Sequence, residues 1–429
     1  MKIAMFTNTY IPHVGGVANS LQRFTGEFRR RGHRVFIVAP EFDHQPEGEQ
    51  DVLRVPAIHN FNDTDFSVAL PDFGMIDDAI DGFTPDIVHS HHPFLLGNDA
   101  VRVARVRKLP LVFTHHSLYE HYTHYLPGDS AAMQRFAITL ATAYANLCDQ
   151  VIAPSQSVAA LLQQRGVTTP VATVPTGIDV TRFAGLDGLA LRKSLNIPVH
   201  AIVVGHVGRL AAEKNLDFLA EAVAAFLHSR ADAHFLLIGK GPSEEDIAER
   251  FNSVGLGDRL HCLGVLEHPQ LAQAYYAMDV FAFASKSETQ GLVLTEAMAA
   301  GVPVVALDAP GVREVVVDGK NGRLLFDQAV EPFRAALESV ASLTPAERSR
   351  MRQSCLKAAE AFSVERCADK ALTLYQKLIG RLYGRRHDEE GIWNETMQMI
   401  QTEWVLASGL AQALGAAIGI ADLNGDRHR

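Results

Sequence analysis

The sequence has few cysteines and no long run of strongly apolar residues. Its 429 residues include four cysteines, which form no Cys-x-x-Cys pair and no metal-ligand spacing. This usage is typical of a reducing compartment and argues against a disulfide framework. The sequence predicts no membrane-spanning helix, because a span needs about 18 or more consecutive apolar residues. The N-terminus begins directly with a strand-like segment and lacks the pattern of a signal peptide, so we expect a cytoplasmic location.

An excess of positive charge is also missing. The formal net charge is −10, which argues against nucleic acid as a partner. Hydrophobic residues make up 47% of the chain and charged residues 21%, so a large core can form. A chain of this length is expected to form two domains of ordinary size.

Strand-like and helix-like segments alternate along the chain, which predicts parallel sheets in an α/β fold. The first such unit has a strand at 2–7, a helix at 17–31 and a strand at 34–39. Gly15 and Gly16 lie at its strand-to-helix turn. Their spacing differs from Gly-x-Gly-x-x-Gly, so a nicotinamide site is not predicted.

A later strand-to-helix junction carries two cations. The strand predicted at 202–207 is followed by Arg209, and Lys214 lies where the next helix is predicted to begin. Fixed cations beside a helix N-terminus bind anions and can neutralise a diphosphate leaving group without a metal. The alternative is an ordinary surface pair.

The stretch 285–303, SKSETQGLVLTEAMAAGVP, changes from polar to apolar in its middle. Near its end, a glycine followed two residues later by proline is a helix stop signal. We therefore predict a loop over 285–291 and a helix over 292–300. Glu296 lies inside this apolar helix, where a carboxylate is costly unless a partner pairs with it.

The predicted loop carries a second carboxylate, Glu288, and ends at Gly291. A glycine lets a ligand approach the backbone, and the N–H groups from Gln290 to Leu292 favour an anion at the helix start. Two carboxylates with an anion site between them suit a sugar nucleotide. The alternative is a buried Glu296 that a local donor satisfies.

Imidazole and phenol side chains follow two predicted strands, at 87–90 and 111–114. They are His89, His91 and His92 at the end of the first strand, and His115, His116, Tyr119 and Tyr122 after the second. Side chains at the carboxyl ends of parallel strands face the region where such sheets bind ligands. We predict no metal here, because no carboxylate or cysteine accompanies the three neighbouring histidines at helical spacing. A structural aromatic loop is the alternative for the second segment.

Arg102, Arg105 and Lys108 are spaced three apart on a predicted helix and form a basic stripe. The stripe is either a solvated helix face or a contact for anionic lipid headgroups.

In their order along the chain, these motifs resemble those of the retaining GT-B glycosyltransferases of family four. The segment SETQGLV…EAMAAG.PVVA is similar to the version in bacterial diacylglycerol glucosyltransferases, and GRLAAEKN and VPTGIDVTRF also match the family pattern. In the segment THHSLYEHY, His116 takes the position of the family's active-site histidine, and His115 replaces an aromatic residue. The resemblance ends near Leu382.

The resemblance implies a GT-B fold of the α/β class. In this fold two Rossmann-like domains with parallel sheets face one another across a cleft, and the last helices cross back to the first domain. We therefore expect an acceptor-side domain over 1–180 and a domain that binds the nucleotide sugar over 200–362. A helix crossing back is expected over 363–386, followed by a helical tail over 387–429.

The resemblance also implies roles for individual residues. Gly16 closes over the donor diphosphate, Val265 borders the nucleotide base, and Glu288 positions the sugar. Glu296 holds the ribose hydroxyls, and His116 hydrogen-bonds the sugar beside the reaction centre.

The implied reaction is front-face transfer of a sugar, with retention and without a metal. The expected donor is UDP-glucose or a similar nucleotide sugar, and the expected acceptor is a membrane glycerolipid such as diacylglycerol. The partners would then include an anionic membrane, with the protein peripheral on the inner face of the cell membrane. The oligomeric state is not predicted.

Other functions remain open at this point. The acceptor could be a soluble sugar or a precursor of a polysaccharide or lipopolysaccharide. A GT-B phosphorylase would use free phosphate, and a nonhydrolysing epimerase would lack the paired glutamates. A non-catalytic binder of sugar nucleotides would be expected to have lost Lys214 or one of those glutamates.

The tail has a helix-like segment at 392–401, with Trp393 and Trp404 as candidate anchors. Residues 404–421 are mildly apolar and rich in alanine and glycine. This pattern fits a helix docked on the body or on a second subunit, membrane contact, or disorder.

Overall fold

The computed structural model describes residues 1–13, 15–59, 67–70, 72–121, 130–286, 288–383 and 392–417. The chain divides into two compact units. Unit 1 combines Met1–Pro175 with Cys367–Arg429, and unit 2 is Thr176–Arg366.

Unit 1 is built on a parallel sheet of seven strands, with a separate two-stranded antiparallel ribbon. Its strands are β1 (Lys2–Phe6), β2 (Arg34–Pro40), β3 (Val52–Val55), β4 (Ala57–Ile58), β5 (Val68–Ala69), β6 (Ile87–Ser90), β7 (Leu111–Thr114), β8 (Gln150–Ala153) and β9 (Val171–Thr173). The order in the large sheet is β3-β2-β1-β6-β7-β8-β9, and β4 pairs with β5. The first strand therefore lies inside the sheet, between β2 and β6.

Helices cover both faces of this sheet, as a buried parallel sheet requires. They are α1 (Gly16–Arg30), α2 (Phe73–Phe83), α3 (Leu96–Val106), α4 (Ala131–Ala145), α5 (Gln156–Gln164), α13 (Val364–Tyr383) and α14 (Ile392–Ala417). Side chains of β1 point alternately to the two faces. Ile3 and Met5 pack with α1 and α13, whereas Ala4 and Phe6 pack in the core beneath α2 to α5.

Unit 2 repeats this plan with a parallel sheet of six strands. The strands are β10 (Ile202–Val207), β11 (Ala233–Ile238), β12 (Leu260–Cys262), β13 (Val280–Phe283), β14 (Val304–Leu307) and β15 (Gly322–Leu325). Their order is β12-β11-β10-β13-β14-β15. Its helices are α6 (Leu189–Ser194), α7 (Leu216–Ser229), α8 (Glu244–Ser253), α9 (Gln270–Tyr276), α10 (Leu292–Ala299), α11 (Val330–Ala341) and α12 (Pro345–Ala361). Two apolar clusters, one on each face of the sheet, form its core.

The parallel α/β architecture predicted from the alternating pattern is confirmed. The helix predicted over 292–300 is α10, which ends one residue earlier at Ala299. The predicted strands at 87–90 and 111–114 have the same bounds as β6 and β7.

The tail forms a helix, α14, that packs on α3 and α4 of unit 1. Arg102 of α3 forms a two-nitrogen ion pair with Glu403. Arg135 of α4 donates to the carbonyls of Ala416 and Ala417, at 3.0 and 3.1 Å, which satisfies orphan acceptors at the helix end. The helix over 392–417 is therefore docked on unit 1 in this structure, and residues 418–429 lie outside the described part of the chain. Among the described residues, no helix has both the length and the hydropathy needed to span a bilayer.

Candidate active site

The loops that follow β10 and β13 lie side by side, because these two strands are parallel neighbours. Between them the strand order reverses, and ligands bind at such switch points in open α/β sheets. The Asn215 amide donates to the Ala284 carbonyl at 3.1 Å, and the Ser285 hydroxyl donates to the Glu213 carbonyl at 3.4 Å. These bonds hold the two loops together.

Glycines after β11 allow the loop after β10 to pack against them backbone to backbone. A Cβ on Gly239 would lie 1.8 Å from the Gly208 carbonyl oxygen, and one on Gly241 would lie 2.3 Å from that of Leu210. The N–H of Leu210 donates to the Lys240 carbonyl at 3.0 Å. The backbone on both sides of Arg209 is therefore fixed, while the arginine itself is exposed.

Lys214 lies in a 3₁₀ turn, Ala212–Lys214, ahead of the helix rather than within it. The turn closes on Asn215, whose φ of 55° places it in the left-handed region, and α7 then begins at Leu216. The Lys214 Nζ is 3.4 Å from Oε2 of Glu288. The two predicted loops thus bring together a cation and a carboxylate that are distant in sequence.

Glu288 binds the start of α10 with its other oxygen. Its Oε1 accepts from the N–H of Gly291 at 3.0 Å and more weakly from that of Gln290 at 3.5 Å. Burial alone would raise the pKa of this carboxyl, but Lys214 and the two N–H groups outweigh it and lower the pKa below its ordinary value. Two of the three N–H groups that we expected at the anion site, those of Gln290 and Gly291, therefore bind Glu288 in this structure.

The side chain of Gln290 is held by the first residue of unit 2. Its Oε1 accepts from the Thr176 N–H at 2.7 Å, and its Nε2 donates to the Thr176 carbonyl. Gly311 supports the same loop, since a Cβ there would lie 2.2 Å from the Gln290 nitrogen and its N–H donates to the Glu288 carbonyl at 3.0 Å. Neither Thr176 nor Gly311 was predicted to contribute to this site.

Glu296 is buried in α10, as its apolar surroundings predicted. The hydroxyl of Tyr275, on α9, donates to Glu296 Oε2 at 3.1 Å. A nearby donor therefore pairs with one carboxylate oxygen, as the alternative interpretation of this residue required. Leu292, the first residue of α10, is half-buried.

Two further residues that were predicted to contact the donor nucleotide sugar lie at accessible positions. Val265 follows β12 and is 60% exposed. The preceding carbonyl, of Gly264, accepts from the Gly239 N–H at 2.8 Å, so this loop adjoins the loop after β11. Gly16 is exposed at the first position of α1 in unit 1, with open space where a Cβ would lie.

In unit 1 the predicted histidines gather at the carboxyl ends of β6 and β7. His116 is half-buried, whereas His115 is fully buried. His91 Nδ1 lies 2.8 Å from His116 Nε2, and the two rings stack. His116 is thus the more accessible of the two adjacent imidazoles.

Hydrogen bonds from other residues of unit 1 hold the neighbouring side chains of His89 and His92. His89 lies between the hydroxyls of Thr114 and Tyr375, each 2.6 Å from one ring nitrogen. His92 Nδ1 accepts from the Asn8 N–H at 3.0 Å. Neither Tyr375, on the distant helix α13, nor Asn8 was predicted as a partner.

Burial keeps these imidazoles neutral. It lowers the pKa of His89 and His92 to about 3 and that of His115 to about 4. The pKa values of His91 and His116 also fall well below the ordinary value, first through burial and then through neighbouring histidines. Within the described ranges, no group of three or more histidine, cysteine or acidic side chains is arranged to hold a metal ion.

Tyr119 opens a 3₁₀ turn, Tyr119–His121, and its ring contacts the rings of Phe94 and His115. The other predicted tyrosine of this segment, Tyr122, lies outside the described residues.

The basic stripe differs from the expected row of cations on one helix. Arg102 is paired with Glu403 and Asp99, and its guanidinium lies 4.5 Å from the centre of the Phe73 ring. Lys108 follows the end of α3 and is exposed, while Arg105 is half-buried. Arg102 is therefore part of the packing that holds α14.

Models of two protein families match successive parts of the chain. Residues 14–182 match Glycosyltransferase Family 4, and residues 189–359 match Glycosyl transferases group 1.

Relatives and solved structures agree with these matches. The chain is 30% identical over 334 residues to the alpha-monoglucosyldiacylglycerol synthase of Streptococcus pneumoniae, covering 76% of each protein. It is 30% identical over 388 residues to the GDP-mannose-dependent alpha-mannosyltransferase of Mycolicibacterium smegmatis, covering 89% of this chain and 98% of the relative. Among solved structures, HepE of Anabaena in complex with UDP has a TM-score of 0.68 at 21% identity, covering 88% of this chain and 100% of that one.

Proposed function

This chain belongs to family 4 of the glycosyltransferases and has their GT-B fold, and we propose that it is a retaining hexosyltransferase acting on a membrane lipid. The donor is a nucleotide sugar, with UDP-glucose as the first candidate. The acceptor is a glycerolipid such as diacylglycerol. The observation that carries the proposal is the cation and carboxylate pair of Lys214 and Glu288 at the switch point of unit 2.

The donor assignment is supported by the charges at this switch point. Arg209 is exposed on a fixed loop, and Lys214 lies on the turn that follows it. Together they offer positive charge to a diphosphate, while Glu288 and Glu296 offer carboxylate oxygens to sugar and ribose hydroxyls. The structural neighbour HepE binds UDP, which favours a uridine nucleotide as the first donor to test.

In the proposed reaction, the bond from the anomeric carbon to the diphosphate breaks as the acceptor hydroxyl attacks from the same face. Arg209 and Lys214 stabilise the negative charge that develops on the leaving diphosphate, a role that Mg²⁺ plays in other transferases. Glu288, held by Lys214 and by the start of α10, orients the sugar. The resemblance assigns His116 a hydrogen bond to the transferred sugar. The acceptor's proton leaves with the diphosphate, so no residue has to end the cycle in a changed protonation state.

The acceptor assignment is supported by the relative from Streptococcus pneumoniae, whose name specifies a diacylglycerol product. The structure adds exposed apolar side chains on α14. Ile400, Trp404 and Leu414 are 59%, 74% and 54% exposed, and no charged residue occurs between Glu403 and Ala417. An apolar helix face with tryptophan inserts at a bilayer surface. We therefore place the membrane contact on α14 rather than on the basic stripe.

A matrix of donors and acceptors tests the proposed function. UDP-glucose, UDP-galactose and GDP-mannose are each offered with diacylglycerol, monoglucosyl diacylglycerol and small soluble sugars. We expect transfer from UDP-glucose to a lipid acceptor, with an α-linkage in the product by NMR. Efficient transfer to a soluble sugar with none to lipid would contradict the acceptor assignment, and a β-linkage would contradict retention.

GDP-mannose is included because the relative from Mycolicibacterium smegmatis is named for it. If GDP-mannose is the only donor that is used, then the assignment of UDP-glucose is wrong, but the protein is still a glycosyltransferase.

Membrane contact is measured through Trp404, since the chain has only two tryptophans. In a Trp393→Phe variant, vesicles of phosphatidylcholine should shift the fluorescence of Trp404 to shorter wavelength, and brominated lipids should quench it. Salt should have little effect, because apolar insertion is not screened. Binding that needs anionic lipid and disappears in salt would favour the basic stripe instead.

A further inference from the structure

His91 and His116 form a hydrogen-bonded pair whose geometry is set by the sheet. His91 follows β6 and His116 follows β7, which are parallel neighbours. The distance from His91 Nδ1 to His116 Nε2 is 2.8 Å, and the ring centroids are 5.1 Å apart with planes inclined by 22°. The ring of His89 lies against His91 with a centroid distance of 4.1 Å. His91 is therefore held between two other imidazoles.

The hydrogen bond between His91 and His116 needs an N–H on one ring and a lone pair on the other. Burial lowers the pKa of both His91 and His116 well below the ordinary value, so neither ring is charged near neutral pH. A neutral imidazole has one nitrogen that donates and one that accepts. The pair can therefore form in two ways, with either His91 or His116 as the donor.

The second nitrogen of His91 decides between these two forms. His91 Nε2 is buried and has no hydrogen-bond partner in the described part of the chain. If His116 donated to His91, then Nε2 would carry a buried N–H with no acceptor. If His91 donates through Nδ1, then Nε2 carries no hydrogen and is an acceptor that has no donor. Buried donors are orphaned more rarely than acceptors, so the second form is favoured.

We propose that His91 is a positioning residue that fixes the tautomer of His116. Its Nδ1–H donates to His116 Nε2, and the proton of His116 therefore lies on Nδ1. His116 then carries an N–H, and not a lone pair, at Nδ1. This inference rests on the proposed function only for the part that this N–H plays in the reaction, since the tautomer is a property of the protein alone.

Two substitutions at His91 separate its hydrogen bond from its volume. The side-chain nitrogen of asparagine can occupy the position of Nδ1, so His91→Asn keeps a donor. His91→Phe keeps a ring and removes the donor. The pair His234 and His261 in unit 2, whose ring nitrogens are 3.0 Å apart, provides the matched control. His234→Phe breaks a similar bond outside the proposed site.

Long-range proton–nitrogen NMR on the full chain with labelled histidine shows which ring nitrogen of His116 carries the proton. A His116→Asn spectrum identifies its signals. We expect the Nδ1–H form in the wild type and in His91→Asn, and loss of that form in His91→Phe. The control His234→Phe should leave it unchanged. An Nε2–H form in the wild type would overturn the proposal, whatever the enzyme's substrates prove to be.

Kinetics give the second readout. We expect His91→Phe to lower kcat by roughly tenfold or more with a much smaller change in the donor KM, and His91→Asn to recover most of the loss. Equal loss in both variants, with the His116 tautomer unchanged, would show that His91 only fills space. If no glycosyl transfer is found at all, the proposed function fails while the NMR result still tests His91.

Discussion

The ammonium of Lys214 lies 3.4 Å from Oε2 of Glu288, although 74 residues separate them in sequence. Both side chains are largely buried, with exposures of 20% and 17%. A partly desolvated ion pair of this kind holds its members in a defined position, and each is then available to a polar ligand. The pair therefore joins the loop after β10 to the loop after β13 at the proposed donor site.

Removal of the Lys214 charge should slow the reaction strongly. We expect Lys214→Ala to lower turnover by roughly a hundredfold or more, because a fixed cation on a developing anion contributes several kcal/mol. Lys320, an exposed lysine of the same unit, gives the control, and Lys320→Ala should retain activity. Steady-state kinetics at saturating donor measure the effect. Wild-type turnover in Lys214→Ala would remove this residue from the mechanism.

The bond from Tyr275 to Glu296 should affect both stability and donor affinity. Tyr275→Phe leaves a buried carboxylate without that donor, so the free energy of unfolding should fall by about 1–3 kcal/mol. If Glu296 holds the donor's ribose, the donor KM should rise severalfold as well.

Tyr276→Phe is the matched control for this variant. The Tyr276 hydroxyl donates to the Phe183 carbonyl at 2.6 Å, so its loss should also reduce stability but should leave the donor KM unchanged. An unchanged donor KM in Tyr275→Phe would separate Glu296 from donor binding.

The buried histidines should make the protein less stable in mild acid. Burial lowers the pKa of His89 and His92 to about 3, and that of His115 and His206 to about 4. The unfolded chain takes up protons below about pH 6.5 while these folded imidazoles do not, so stability falls as pH falls. Each such group contributes up to ~1.4 kcal/mol per pH unit. Asp99 has the opposite effect on the pH dependence of stability, because burial raises its pKa to about 6. The buried histidines outnumber this single carboxyl, so their effect is larger.

Thermal unfolding between pH 7.5 and 5.5 measures this effect. We expect the midpoint to fall across that interval, and to fall less in His92→Asn, whose side-chain oxygen can still accept from the Asn8 N–H. An unchanged midpoint would show that the histidines take up protons in the folded state.

Activity should survive an excess of chelator. The reason is that Arg209 and Lys214 supply the positive charge that a divalent ion would otherwise provide for the leaving diphosphate. The assay compares initial rates with and without the chelator at fixed donor concentration. A loss of activity that one divalent ion restores would contradict this prediction.

Much of the fold followed from local pattern. Each strand and helix is a contiguous segment with its own periodicity and stop signals, so the parallel sheets and the bounds of α10 could be predicted from the sequence. Lys214 and Glu288 could also be expected at one edge, because each follows a strand of the same predicted sheet. The pairing of β10 with β13 then determines that their loops are neighbours.

The unpredicted parts depend on packing between distant elements. Tyr275 reaches Glu296 only because α9 packs on α10, and no spacing in the sequence encodes that contact. His115 and His116 are adjacent in sequence but differ in burial, since successive side chains of an extended segment point in opposite directions. The ion pair of Arg102 with Glu403 spans 301 residues. The sequence of α3 alone predicts a basic stripe but does not identify Glu403 as the partner of Arg102.

Binding of a nucleoside diphosphate depends on the cations of the proposed donor site, and isothermal titration calorimetry measures it without an acceptor. The wild type and Lys214→Ala are each titrated with UDP, with GDP and with the corresponding free nucleosides. We predict that one diphosphate binds the wild type at least about a hundredfold more tightly than its nucleoside, and that Lys214→Ala loses most of this difference. The proposed donor site is wrong if neither diphosphate binds more tightly than its nucleoside, or if Lys214→Ala binds the diphosphate as the wild type does.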